Sequence, residues 1–333
     1  MSLTLKAVPI SWEMNEPFTI SRGTLTHIEG VLVELRDECG RSGRGESYGI
    51  LYEGETPAGL LAQLDQHRVW IEQGPSREAL LEFLPHGGAR CAVDLALWDL
   101  EAQQKGVSVA ELAGVSMTRT LTSAFTIGMR SIDALRATAA RYVDHALLKI
   151  KVDAESAMST LEIVREVAPK PRLIVDSNQS WTIDHLKEYA PRCEELGVVL
   201  LEQPLAVGRD DGLLEYRSPV PVCADELIHT RADLPLARGK YEFINIKLDK
   251  SGGLTEGLYL ANEARTLGYG LMIGCMAGSS LSMVPAMVIG QMSAFVDLDG
   301  PLLQREDWPG GIRYDRGVMS LPQPALWGEP RPA

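Results

Sequence analysis

From about residue 117 onward, short apolar runs alternate with longer amphipathic segments. The short runs are LTSAFTI, ALLKIKV, RLIVDSN, VVLLEQP, PVCADE, FINIKLD, GLMIGCM and AFVDLDG. Between them, residues 154–168, 182–196 and 254–268 place apolar side chains at helical spacing. Strand alternating with helix predicts βα units around a parallel sheet. Several of the strands end on a polar residue that an apolar strand does not need: Lys151, Asp176, Glu202, Asp225, Lys247 and Asp297, with gaps of 25, 26, 23, 22 and 50. The last gap is two steps, and GLMIGCM supplies the strand between. One step back from Lys151 lies Thr126, at the end of LTSAFTI. Eight such strands predict an α/β fold, a modified TIM barrel of the (β/α)7β type over residues 117–307, with its chemistry at the C-terminal strand ends. An open doubly wound sheet is the competing arrangement. No GxGxxG follows the first strand, and an open sheet leaves the matched polar ends unexplained.

Residues 1–116 follow a different pattern. TLKAVPISW, HIEGVLVELRDE and RSGRGES read as three strands of an antiparallel meander with a turn at residues 37–43. Helical patterns follow at 56–72, 76–83 and 88–106. An α+β capping domain is expected here, with the turn-rich tail from residue 308 to 333 returning to it.

The run LLKIKVD raises the first chemical question. On a strand, Lys149 and Lys151 point to one side while Leu148, Ile150 and Val152 point to the other. An exposed edge strand would account for two lysines. The barrel accounts for them differently. Lys151 ends the second strand and Lys247 the sixth, half a turn apart, so the two face each other across the mouth. Asp176, Glu202 and Asp225 end the three strands between. Each acid alone also reads as a strand-end residue capping the next helix, and for Asp176 that reading is as good as the other. Three together repel unless a cation neutralises them, and oxygen ligation without histidine or thiolate suits Mg²⁺. A metal gripping a substrate carboxylate stabilises an enediolate, and a lysine of lowered pKa is a suitable base for the α-proton. Two opposed bases indicate a racemase or epimerase.

Composition narrows the partners. A hydrophobic fraction of 45% with 23% charged residues suits a globular protein. The net charge of −13 argues against nucleic acid. No apolar run reaches membrane-spanning length, and no basic-then-apolar leader opens the chain, so a cytoplasmic protein is expected. The five scattered cysteines are expected to be buried thiols, and the histidines form no zinc motif. A homo-oligomer is left open.

KIK at 149–151, VDSNQSW, LEQPL, ADE and NIKLDKSGG occur in the order and spacing of the muconate-lactonising subgroup of the enolase superfamily, which the whole chain resembles. That resemblance implies that Lys151 and Lys247 are the acid/base pair. It further implies that Lys149 polarises the substrate carboxylate, and that Asp176, Glu202 and Asp225 hold Mg²⁺ with Asn178 in support. VDLDGP at 296–301 is similar to the Asp-x-Asp element of dipeptide epimerases. The residues themselves agree: Asp297 and Asp299 alternate onto one face as a socket for an ammonium group, unless they are turn acids ahead of Gly300. The resemblance also places Thr126 and the Cys275-Met276-Ala277 segment on the substrate. It gives Arg22, in TISRGT, the position of an arginine that meets an acidic second residue, although Glu46 or Glu53 would serve as its partner equally well. Ile50, Leu51 and Tyr52 favour an apolar second residue. The expected substrate is a dipeptide, L-Ala-D/L-Glu or a relative with a small or apolar second residue. The alternatives are an N-acylamino acid racemase, an o-succinylbenzoate synthase-like elimination, and a binding module that has lost catalysis.

Overall fold

β1 (Leu3–Ile20), β2 (Gly23–Asp37) and β3 (Ser42–Ser47) form an antiparallel sheet in the order β1-β2-β3. The computed structural model describes residues 2–20, 23–322 and 325–331. The Asp37 carboxylate sets the β2–β3 turn, accepting from the amides of Cys39 and Arg41 at 3.0 Å each. The first hairpin is longer than its apolar alternation predicts. Thr19 pairs with Thr24 and Ile20 with Gly23, so the strands pair up to these residues. The register slips between Glu13 and Phe18, which marks an irregularity part-way along the hairpin.

The helix Gly88–Lys105 lies across β3 and ends at Gly106, whose φ of 67° is the left-handed cap a glycine adopts without strain. Helix and strand come so close that a Cβ on Gly45 would sit 2.1 Å from the Ala92 carbonyl oxygen. Leu35, Leu64, Ile71, Leu80 and Val93 fill the core between sheet and helices.

The barrel strands are β5 (Phe125–Ile127), β6 (Leu147–Lys151), β7 (Arg172–Asp176), β8 (Val198–Glu202), β9 (Val222–Ala224), β10 (Phe243–Ile246), β11 (Gly270–Ile273) and β12 (Phe295–Val296). Adjacent strands pair in parallel, in sequence order. The Ala124 amide donates to the Val296 carbonyl at 2.7 Å, which joins the first strand to the last. A helical segment crosses between each consecutive pair, so the (β/α)7β order is the one observed. Outward-facing Leu148, Ile150, Val175 and Leu201 pack in the same core cluster as the surrounding helices. Inward-facing Ala124, Leu147, Ile174, Leu200, Cys223, Met272 and Phe295 plug the interior.

Two expectations need correction. LTSAFTI is not one strand: β4 (Thr120–Thr122) breaks from β5 and pairs with β14 (Val318–Ser320), which pairs with β13 (Arg313–Asp315). The tail supplies partners that no local pattern announces. The cysteines are all free, but Cys39 is exposed in its turn and Cys275 is only partly covered. Beyond β13 and β14, the Trp327 indole donates to the Arg44 carbonyl at 2.9 Å, and Arg331 pairs with Asp99 at 2.5 Å.

Candidate active site

The apolar plug places the polar site by simple alternation. Two residues beyond Ala124, Leu147, Ile174, Leu200, Cys223, Phe243 and Phe295 stand Thr126, Lys149, Asp176, Glu202, Asp225, Asn245 and Asp297. The same face of each strand therefore turns from apolar to polar in a single layer. Lys151 and Lys247 continue from Lys149 and Asn245 at the rim.

Every acid of this layer is almost completely buried. Lys149 stands between them, with its ammonium 2.8 Å from Asp297, 2.7 Å from Glu202 and 3.1 Å from Asp176. Burial opposes its charge, but Asp297, Glu202 and Asp176 together hold its pKa well above the usual lysine range. At one end of the carboxylate row, Lys151 donates to Asp176 at 2.5 Å and to the Asn178 side-chain oxygen at 3.0 Å. At the other end, Lys247 donates to Asp225 at 2.7 Å. Burial disfavours the Lys247 ammonium, yet Asp225 lifts its pKa above the ordinary value. In this ion-paired arrangement Lys247 is not tuned down toward neutrality. Asp176 and Asp225 are held below the usual carboxylate range: burial raises them, and the adjoining lysines outweigh it.

Glu202 behaves differently. Burial and the neighbouring Asp176 charge push it up to about 8. Its Oε1 accepts from Asn245 at 2.9 Å, while Oε2 receives no hydrogen bond of good geometry despite the nearby Lys149. The Asn245 side-chain oxygen is likewise buried without a donor. Among the described residues, no three acidic, histidine or cysteine side chains converge on one point, because ammonium groups stand between the carboxylates.

Thr126 organises the seam of the barrel. Its amide donates to Asp299 at 2.6 Å and its hydroxyl to Asp297 at 3.1 Å. Both aspartates are buried, so they are not solvated turn acids. Burial, and then the Asp297 charge, push Asp299 up to about 7.

A cavity of about 450 Å³ lies over this layer. Its floor includes Lys149, Lys151, Asp225, Lys247, Asp297 and Asp299, and Asn178, Thr126, Cys275, Met276 and Ala277 also reach it. Ala277 has a φ of 63°, a left-handed conformation uncommon for alanine. The roof comes from the N-terminal domain: Phe18, Ile20, Leu25 and Ile28 from the hairpin, with Leu51 and Tyr52 from the segment after β3. Ile50 is buried and does not line the cavity. Arg22 lies outside the described residues. Glu46, one partner considered for it, is buried and accepts from Trp12, Tyr48, Ser279 and Trp308. Glu53 faces His229 at 3.2 Å.

Three residues of the site were missed in the sequence. Asn245 was legible, since it sits two before Lys247 on the same strand face. Lys250 is buried one helical turn later and donates to Asp225 at 2.6 Å and to the Asn245 carbonyl at 3.2 Å. Gln203 accepts from the Asp225 amide at 2.8 Å. Neither Lys250 nor Gln203 carries a periodic signal, because both act across loops.

A sequence family described as mandelate racemase / muconate lactonizing enzyme, N-terminal domain, matches residues 2–114, and one described as enolase C-terminal domain-like matches residues 133–325. The chain belongs to the enolase superfamily. Among members of that superfamily, it is 38% identical to an L-Ala-D/L-Glu epimerase of Escherichia coli, over 96% of this chain and 99% of the other. It is 40% identical to an N-acetyl-D-glutamate racemase of Pseudoalteromonas over 75% of this chain and 79% of the other. A crystal structure from Agrobacterium tumefaciens is 40% identical with a TM-score of 0.95, covering 98% of this chain and 100% of the other. It is described as an enolase family member with homology to dipeptide epimerases and holds sodium and L-Ala-L-Glu.

Proposed function

We propose that this protein is a Mg²⁺-dependent dipeptide epimerase that moves the α-proton of the second residue between Lys151 and Lys247. The observation that carries this reading is the placement of two lysines at opposite ends of a buried carboxylate row. In the same cavity, Asp297 and Asp299 form an anionic pocket beside Thr126.

The donor set fits a hard cation. Asp176, Glu202 and Asp225 are buried oxygen donors on successive strands, and Glu202 Oε2 is buried without a hydrogen bond of good geometry. These three residues would hold Mg²⁺, which supplies Lewis-acid stabilisation of negative charge on a substrate carboxylate. Asn178 fixes Lys151, and Asn245 orients Glu202.

The chain's own groups then divide the work. Asp297 and Asp299 bind the ammonium of the first residue, which fixes the α-carbon of the second between the lysines. One lysine in its neutral form removes the α-proton, and the other, as ammonium, delivers a proton to the opposite face, inverting the centre. Charge developing on the carboxylate faces Lys149. The apolar roof excludes water and gives the second side chain an apolar wall at Leu51 and Tyr52, which supports small or apolar residues there. The L-Ala-L-Glu held by the Agrobacterium relative supports glutamate.

The Pseudoalteromonas relative favours a second reading, racemisation of an N-acylamino acid. Such a substrate has no ammonium to offer Asp297 and Asp299. The test is incubation with Mg²⁺ in D₂O of L-Ala-L-Glu, L-Ala-L-Leu and N-acetyl-L-glutamate, followed by NMR for α-proton loss and by chiral analysis. Exchange and epimerisation of the free dipeptides are expected. Faster turnover of N-acetyl-L-glutamate overturns the dipeptide assignment, and no exchange in any substrate overturns the epimerase.

A further inference from the structure

A second cavity, of about 390 Å³, adjoins the first at the barrel seam. Phe18, Thr126 and Leu303 line both. Thr126 is the residue that holds Asp297 and Asp299, so the second cavity begins where the proposed ammonium pocket ends. Its remaining wall carries two guanidinium groups, Arg130 and Arg141. Arg130 is fixed by the Gly128 carbonyl at 3.2 Å and the Thr138 hydroxyl at 2.6 Å. Among the described residues, the carboxylate paired with it is Glu16, 3.4 Å away and largely exposed, a weak pair in water. Arg141 lies near the Tyr142 ring and has no hydrogen-bond or carboxylate partner among the described residues. Nothing in the proton-transfer chemistry uses either arginine.

Resting on the epimerase reading above, we propose that this cavity is the subsite for the side chain of the dipeptide's first residue, and that it selects an acidic one. A substrate whose ammonium sits against Asp297 and Asp299 has its first α-carbon beside Thr126. Its first side chain is then directed past Phe18 and Leu303, which line both cavities, toward the arginines. A carboxylate arriving there meets two cations and one exposed acid. An ammonium arriving there is repelled. Alanine at the first position reaches neither group and is accepted without gain.

The experiment measures kcat/KM for L-Glu-L-Glu, L-Ala-L-Glu and L-Lys-L-Glu with the full chain and Mg²⁺. The wild type is expected to favour the glutamate-first over the lysine-first dipeptide by about tenfold, the scale of a charged hydrogen bond partly open to water. Arg141→Ala should remove much of that preference, read as the ratio of kcat/KM for L-Glu-L-Glu to that for L-Lys-L-Glu. The exposed site tolerates Arg141→Glu, which should turn the preference toward L-Lys-L-Glu. Equal rates for all three dipeptides in the wild type overturn the subsite and leave the epimerase standing. An equal loss on all three in Arg141→Ala also overturns it, since that outcome is a structural effect. A wild type that epimerises no dipeptide overturns both.

Discussion

Lys151 and Lys247 are anchored to different carboxylates, Asp176 and Asp225, so each variant is expected to lose one base and spare the other. In D₂O, Lys151→Ala should exchange the α-proton of one epimer alone and Lys247→Ala that of the other, with neither interconverting them. If either variant still epimerises at an appreciable rate, the two-base scheme is wrong. Asp299 gives a pH signature. Its pKa is raised to about 7 by burial and by Asp297. A carboxyl raised in this way favours the folded state while protonated, and that contribution fades as pH rises through about 7. Ammonium binding needs the ionised form, so kcat/KM for free dipeptides should rise through that same range. Asp299→Asn should flatten the rise and lower the plateau by roughly tenfold to a hundredfold. A wild-type profile with no inflection near neutrality would remove Asp299 from the ammonium pocket.

At the scale of elements, the close pair is β3 and the helix Gly88–Lys105. Gly43 and Gly45 face Ala92 and Ala96 at backbone contact. Gly45→Ala forces strand and helix apart, which should cost about 1–3 kcal/mol, as overpacking in a filled core does. Chemical denaturation is the measurement, and an unchanged midpoint would mean that the interface gives more easily than its spacing implies. The helix itself was legible, from its apolar spacing and its terminal Gly106. The need for glycine on the strand was not. RSGRGES reads as a turn-rich strand, and only the partner across the gap shows why side chains are excluded. LTSAFTI failed for a related reason. Its apolar content is continuous, but the tail strand at 318–320 takes its first half and the barrel takes the second.

For the whole molecule, the decisive feature is a ring of strands that gathers distant acids into one buried layer. Mg²⁺ that binds this layer only in the folded state should raise thermal stability. At about 100 times its dissociation constant the gain is about 2.7 kcal/mol. EDTA should abolish epimerisation, and added Mg²⁺ should restore both activity and melting temperature. Full activity after exhaustive chelation would remove the metal from the scheme. Within that frame, the sequence by itself determined the barrel, because a period of two along each strand and a step of about 25 between strands are local and repetitive. The same arithmetic places Lys149, Lys151, Asp176, Glu202, Asp225, Lys247 and Asp297 at strand ends, and it would have placed Asn245. The tertiary structure alone decided which charges pair. Lys149 meets three acids from three other strands, Lys250 reaches Asp225 across a turn, and Thr126 joins two aspartates across the closing seam. It also decided that Leu51 and Tyr52 face the cavity while Ile50 does not. Those outcomes depend on distances between segments far apart in the chain, and the order of residues along one strand carries no record of them.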